Sequence, residues 1–402
     1  MQLVRLGDVA QINPRFDKSS LADDTLVSFV PMAAVGAADG KIDTSTVRPF
    51  AEVKKGSYTP FREGDVLFAK VTPCMENGKM AVARDLKNGV GFGSSEFHVL
   101  RPSQELDAKY LYYFVSSQSF RKEAAGQMTG AVGLRRVPAA FLADAQLPLV
   151  PLEEQRNIVA AIEKQFSRLD EAVANLQRVK ANLKRYKASV LKAAVEGRLV
   201  ETTGGWREST LGAEGAIIGG LTKNQKRNEL PLKLPYLRVA NVYANELRLD
   251  DIEYIGVAEK ELEKLLVRKG DLLVVEGNGS PDQIGRVALW NGSIPNCVHQ
   301  NHLIKVRFGD DVLPEWALVW MLSPVGRHEI EQVSASTSGL HTLSVGKVSR
   351  LPIGIPSIED QLRIVTEVDR QFSILFGVET EVNTNLQRAQ ALRQSVLAKS
   401  FL

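Results

Sequence analysis

The side chains best suited to chemistry in this chain lie in polar loops, and their types suit hydrogen bonding to a polar partner, a nucleic-acid groove among the candidates, rather than bond making. Reading a major groove calls for Arg or Lys against guanine, Asn or Gln against adenine, and Glu or Asp against cytosine. The loop from Lys70 to Lys79 supplies Lys70, Thr72, Asn77 and Lys79. Ser95 and Glu96 follow, and Arg135 and Arg136 close the stretch Thr129–Arg136. A second set recurs downstream: Glu276, Asn278, Ser280 and Gln283, then Gln300, Asn301 and His302, then His341 within Ser336–Thr342. Lys223, Asn224, Lys226 and Arg227 form a further polar stretch suited to phosphate contact. Any one of these could instead be a solvated loop side chain.

Motifs for catalysis are thin. Asn13-Pro14-Arg15-Phe16 is one residue away from the Asn-Pro-Pro-Phe motif of adenine methyltransferases, yet it stands without an upstream cofactor-binding strand and Gly-rich loop. Gly277-Asn278-Gly279-Ser280-Pro281 lacks the third glycine and the following helix of a dinucleotide fingerprint, and no Gly-x-x-x-x-Gly-Lys-Ser/Thr phosphate loop occurs. His98, His299, His302, His328 and His341 show no third ligand at metal spacing, and Cys74 and Cys297 stand alone. The expectation is a chain with no catalytic centre, no metal and no cofactor of its own.

The frame that must position these loops is large. A length of 402 residues exceeds what one hydrophobic core serves, and 44% apolar with 24% charged residues fits a globular protein. No apolar run is long enough to span a membrane, and Met1–Gly7 lacks the layout of a secretion signal, so a reducing cytoplasm is expected. The net charge of +3 is a weak footprint for a free-standing nucleic-acid binder, so if the chain binds DNA, another protein is expected to supply much of the phosphate neutralisation.

The chain repeats itself at an offset of 206 residues. Phe61-Arg62-Glu63-Gly64-Asp65-Val66-Leu67 matches Val267-Arg268-Lys269-Gly270-Asp271-Leu272-Leu273, and Leu152-Glu153-Glu154-Gln155 matches Ile358-Glu359-Asp360-Gln361. Ile158-Val159 recurs as Ile364-Val365, Gln165-Phe166-Ser167 as Gln371-Phe372-Ser373, and Ser189-Val190-Leu191 as Ser395-Val396-Leu397. The flanking runs match while the loops named above differ.

After Pro151 and again after Pro356 the pattern becomes helical. Ile162, Leu169, Leu176, Leu183 and Val190 fall seven apart, as do Val368, Leu375, Val382, Ala389 and Val396. Ile158, Phe166, Val173, Val179 and Tyr186, and Phe372, Val378, Leu386 and Leu392, supply intermediate apolar positions. This is a coiled-coil seam, and helices of about 40–45 residues would be roughly 60–65 Å long. The acidic pairs Glu153-Glu154 and Glu359-Asp360 suit helix N-termini. The second helix is expected to run antiparallel along the first, which would relate the two repeats by a pseudo-twofold axis. The basic run Arg178, Lys180, Lys184, Arg185, Lys187 and Lys192 reads as a solvated face or a partner contact.

The remainder predicts a mixed α/β (α+β) fold. Strand-like runs at Leu26–Pro31, Val66–Lys70, Lys79–Ala83 and Phe97–Arg101 have counterparts at Leu237–Val242, Asp271–Glu276, Arg286–Trp290 and His302–Phe308, with helices at Lys109–Ser116 and Glu315–Leu322. The domain expectation is a first globular domain at 1–151, a long helix at 152–203, a second globular domain at 204–356 and a second long helix at 357–402.

This order resembles the specificity subunit of type I restriction–modification enzymes. The resemblance rests on Gly64–Leu67 and Gly270–Leu273, on the helix entries Pro151–Val159 and Pro356–Val365, and on Ser-Val-Leu near each helix end. It implies two target recognition domains, each reading one half of a bipartite sequence in double-stranded DNA, with the helices setting the spacing. It also implies docking of two adenine methyltransferase subunits, which bind S-adenosylmethionine, and of two restriction subunits in the full enzyme. One departure is that Leu402 ends the second helix without a counterpart of Gly197-Arg198-Leu199. A coiled-coil scaffold with protein-binding globular ends is the alternative.

Overall fold

The computed structural model of the chain describes every residue except Met1, Val132, 278–282, 335–341 and Leu402. The expected contacts Asn278, Ser280 and His341 lie outside the described residues. The chain divides into two units, Met1–Leu176 with Asn383–Leu402, and Gln177–Val382. Among the described residues no helix is long and apolar enough to cross a membrane.

The first unit has two four-stranded sheets. One is antiparallel, in the order Ala10–Ile12, Phe97–Pro102, Val66–Ala69, Met80–Val82. The other runs Val47–Pro49, Leu26–Val30, Val90–Gly93, Thr59–Arg62, and its central pair is parallel, with Ser28 opposite Gly91. Val66–Ala69 is buried along its whole length because both of its faces carry core: Val66 and Phe68 join one cluster, Leu67 and Ala69 another. A ribbon of Gln2–Arg5 with Gln146–Leu149 closes the unit. The helix Ala108–Ser116 packs Tyr110, Leu111 and Val115 into the core, and Asp107 caps it by accepting from the amides of Lys109 and Tyr110.

The second unit repeats this plan. Its antiparallel sheet runs Gly215–Gly219, Leu303–Phe308, Leu272–Val275, Val287–Leu289, and Arg207–Thr210 pairs with Pro352–Ile355. Its other sheet has Lys233–Leu237 between Glu253–Gly256 and Val298–His299, again with one parallel pair. This corrects the expected strand at Leu237–Val242. Arg238 instead turns the chain into a short 3-10 segment, Val239–Asn241, as Pro31 does before Met32–Ala34 in the first unit. Val239 packs from this turn, and Val242 begins a separate two-residue strand, Val242–Tyr243, that pairs with Glu246–Leu247, so the apolar run does not report one continuous strand.

The repeated Gly-Asp pair has a structural reason. Gly64 and Gly270 take φ of +83° and +90°, where a side chain would be strained. The turn aims Asp65 and Asp271 inward, where each carboxylate accepts from a backbone amide (Arg62, Arg268) and from the fork of one arginine (Arg101, Arg307) at 2.6–2.8 Å. Both aspartates are buried, so these charge-assisted bonds replace the water they lose.

The long helices span Leu152–Val195 and Ile358–Ser400. In the first unit Ile162 and Phe166 pack with Leu397, Asp170 pairs with Arg393 at 2.5 Å, and Arg393 lies 4.1 Å over the Phe166 ring. In the second, Val190, Leu191 and Ala194 share a core with Ile364, Val365 and Val368, and Lys187 donates to Glu379 at 2.6 Å. Within each unit, rising numbers on one helix meet falling numbers on the other, so the segments are antiparallel.

The expected seam lies inward: Ile162, Val190, Val368, Leu375 and Val382 are buried, and Leu169, Leu176, Leu183, Ala389 and Val396 are half-buried. Its intermediate row does not hold throughout, because Val179, Tyr186, Val378 and Leu392 are exposed. A single helix pair covers one row. The second row is buried only where a globular core also leans on the helix, as at Phe166.

Candidate nucleic-acid interface

In the first unit the loops expected to bind converge. Lys70 leaves its strand with its amide on the Glu96 carbonyl (2.9 Å) and its own carbonyl accepting from the Val137 amide (2.9 Å). These two bonds bring the segments around Lys70, Glu96 and Arg136 side by side. Thr72 fastens the third segment again: its amide and hydroxyl donate to the Arg135 carbonyl, and its Oγ1 accepts the Arg135 amide at 2.9 Å.

Two acid–base pairs stand on this platform. Arg136 donates through Nε and Nη2 to the Glu96 carboxylate at 2.9 and 2.7 Å. The arginine's hydrogen bonds hold the Glu96 carboxyl below its ordinary range, against the opposing pull of partial burial. Arg135 approaches Glu76 at 3.7 Å, a looser pairing of two well-exposed side chains. Asn77 and Ser95 are exposed beside them. Lys79 differs from the expectation: its ammonium donates to the carbonyls of Met32 and Val35 at 3.0 and 3.1 Å, which commits it to closing the loop from inside.

In the second unit the same frame appears at the same offset. The Glu276 amide donates to the His302 carbonyl (2.9 Å), and the Leu343 amide donates to the Glu276 carbonyl (2.7 Å). The positions of Lys70, Ser95, Glu96 and Arg136 are therefore held by Glu276, Asn301, His302 and Thr342. His302 Nδ1 lies 2.7 Å from a Glu276 oxygen, and Asn301 is half-buried next to it. Gln300 is taken up structurally, its Oε1 accepting the Val239 amide at 3.2 Å. Gln283 is half-buried.

The stretch from Lys223 to Arg227 divides in two. Asn224 caps the short 3-10 segment Gln225–Glu229, and Arg227 forms a two-pronged pair with Glu261 at 3.0 Å while also donating to backbone carbonyls. Both are committed to the fold. Lys223 and Lys226 remain exposed, with Lys223 paired to Glu253 at 2.7 Å. Sequence reasoning places Glu76 and Thr342 inside the candidate loops without singling them out, and the offset between the repeats makes Thr342 the counterpart of Arg136.

The resemblance of Asn13–Phe16 to a methyltransferase motif also resolves into structure. His98 Nε2 donates to the Val137 carbonyl at 2.9 Å, so Nδ1 carries the lone pair and accepts from Asn13 Nδ2 at 2.9 Å. Asn13 Oδ1 accepts the Val99 amide at 3.0 Å. The asparagine is fully employed in holding the edge of the sheet.

Comparison with known proteins agrees with this geometry. Residues 1–185 match the type I restriction modification DNA specificity domain. The chain is 28% identical over 315 residues to the EcoKI specificity subunit of Escherichia coli K12, covering 75% of this chain and 67% of that protein. It is 39% identical over 167 residues to the E. coli EcoAI specificity subunit, covering 41% of this chain and only 28% of that protein's length. Among solved structures, a chain from a type I restriction–modification assembly superposes with a TM-score of 0.80 at 22% identity, covering 100% of this chain and 97% of that one. The HsdS subunit of Thermoanaerobacter tengcongensis gives 0.62 at 20% identity, covering 100% and 96%. Residues 1–185 thus carry the type I restriction modification DNA specificity domain, the chain spans only about a quarter to two thirds of the length of these two relatives, and the second unit repeats the hydrogen-bond frame of the first.

Proposed function

We propose that this chain is the non-catalytic sequence reader of a type I restriction–modification complex. Residues 1–151 and 204–356 each read one half of a bipartite target in double-stranded DNA. The helices at 152–203 and 357–402 set the distance between the halves and dock two methyltransferase subunits, with two restriction subunits added in the full enzyme.

One observation carries this reading. The two units share one backbone frame, down to individual hydrogen bonds at a fixed offset, but present different side chains on it: Lys70, Glu96 and Arg136 against Glu276, His302 and Thr342. A conserved scaffold with divergent polar tips is what two readers of two different sequences require.

The chain's own part is binding and orientation. Arg135, Lys223 and Lys226 are exposed cations suited to phosphates, while the paired side chains at the centre of each platform face discrimination between bases. Apolar surface left in water on the second helix, at Ile374 and Phe376, offers a face for a partner subunit. S-adenosylmethionine, which supplies the methyl group, would be held by the methyltransferase subunits. Mapping methylated adenines in host DNA with and without this chain tests the proposal. Loss of methylation at one two-part motif is the expected result, and an unchanged methylation map would contradict it.

A further inference from the structure

The first unit's platform holds one arginine in a different manner from every other exposed cation near it. Arg136 is fixed by two bonds from Nε and Nη2 to a single carboxylate, Glu96, while its backbone is tied on both sides: its amide and carbonyl pair with Thr129 at 2.8 and 3.0 Å, and the Val137 amide holds the Lys70 carbonyl. Arg135, one residue away, keeps only a 3.7 Å approach to Glu76. A guanidinium has five N–H groups in a planar fork, and Glu96 uses two of them. Nη1 makes only a 3.5 Å approach to the Leu134 carbonyl, so it and the remaining hydrogen of Nη2 are left to donate. The side chain is 41% exposed, which keeps that edge accessible.

We infer that Arg136, buttressed by Glu96, reads a guanine in the half of the target bound by the first unit. Guanine is the base whose major-groove edge offers two acceptors, O6 and N7, at the spacing of a guanidinium edge. Arginine presents a rigid planar fork to this edge, whereas lysine offers a flexible point charge that is less tied to one geometry. A side chain already locked in its binding rotamer loses little further freedom on contact, which favours base reading over loose phosphate contact. The second unit carries Thr342 at the equivalent position and His302 in place of Glu96, so it has no buttressed arginine there. This buttressed guanine contact therefore belongs to the half-site of the first unit. Glu96 acts as a positioning residue: its carboxylate would repel the phosphates and serves by aiming the guanidinium.

This rests on the DNA-reading proposal above, and one experiment separates the two. The full chain, co-purified with its native partner subunits, is used to select sequences from a random duplex pool, and binding is then measured on duplexes changed at single base pairs. The variants are Arg136→Ala, Arg136→Lys and Glu96→Gln, each checked for an unchanged melting profile. The wild type should select a two-part motif with one guanine position that Arg136→Ala relaxes. Discrimination there should fall by about tenfold or more, with the other half unaltered. Arg136→Lys should retain most nonspecific affinity yet lose that discrimination, and Glu96→Gln should weaken it partway. If Arg136→Ala lowers affinity equally for all base variants, or changes nothing, the arginine does not read a base and the inference falls while the DNA-reading proposal stands. A wild-type complex that selects no sequence overturns that proposal, and the inference with it.

Discussion

Gln155 accepts the amide of Asp107 at 2.8 Å, joining the first turn of a long helix to the start of a helix in the globular core. Its Nε2 donates to the carbonyls of Glu105 and Val150, both at 2.8 Å, so the buried amide has two donors and an acceptor in use. Gln361 repeats this with Leu313, Asp311 and Pro356 in the second unit. The glutamine of the repeated helix-entry motif is thus the rivet that fixes the direction in which each helix leaves its globular domain.

Replacing that rivet should be expensive. Gln155→Leu keeps the volume but strands one buried amide and two carbonyls, with a cost of about 2–4 kcal/mol. Denaturant unfolding should show a clearly lowered midpoint, whereas Gln165→Leu, on the exposed face of the same helix, should leave it nearly unchanged. Equal midpoints for the two variants would deny Gln155 this role.

His299 supplies a pH signature. Burial, aided by the nearby positive charge of Lys305, pushes its pKa down to about 4 from the ordinary 6.5. The folded state holds the ring neutral, so its contribution to stability is complete above pH 6.5 and is lost as pH falls toward 4. Between pH 7 and pH 5 the loss should be about 2 kcal/mol. In His299→Asn this part of the acid dependence should vanish, as read from melting temperatures at the two pH values. Parallel pH slopes in variant and wild type would contradict the assignment.

The helix seam makes a positional prediction. Leu375 is 6% exposed, while its neighbour Phe376 is 70% exposed. Leu375→Ala should cost about 2–4 kcal/mol through lost burial and a residual cavity. Phe376→Ala should fall within about 0.5 kcal/mol of wild type in the isolated chain. Thermal unfolding of both variants checks the contrast, and a larger loss at Phe376 would reverse the assigned faces.

Arg135 should behave as a phosphate contact. Its exposed, loosely paired guanidinium predicts that Arg135→Ala weakens binding by a similar factor on specific and nonspecific duplexes. It should also lower the slope of log affinity against log salt by about one. Salt titrations of the assembled complex measure this. A loss confined to the specific target would make Arg135 a base reader instead. The Arg135/Arg136 double alanine should weaken binding further with little effect on the fold.

Much of the frame was legible in the sequence because it is local or periodic. The seven-residue spacing and the prolines at 151 and 356 gave the helices, and the offset of 206 gave two similar halves. What stayed hidden depends on partners far apart in the chain. Lys79 and Arg227 look like free cations in sequence, yet carbonyls and Glu261 absorb them. Val239 is apolar because it packs from a turn that interrupts the run between two strands, which periodicity cannot distinguish from one continuous strand. The exposure of Val179 and Leu392 reflects how little a single helix pair can cover, a property of packing rather than of spacing.

The central claim, two independent readers on one frame, is tested most directly by exchanging residues 1–151 for the equivalent segment of another specificity subunit and mapping the methylated target of the resulting complex. The account predicts that one half of the bipartite target takes the donor's sequence while the other half and the spacing stay as they were. A change in both halves, or in neither, would contradict it.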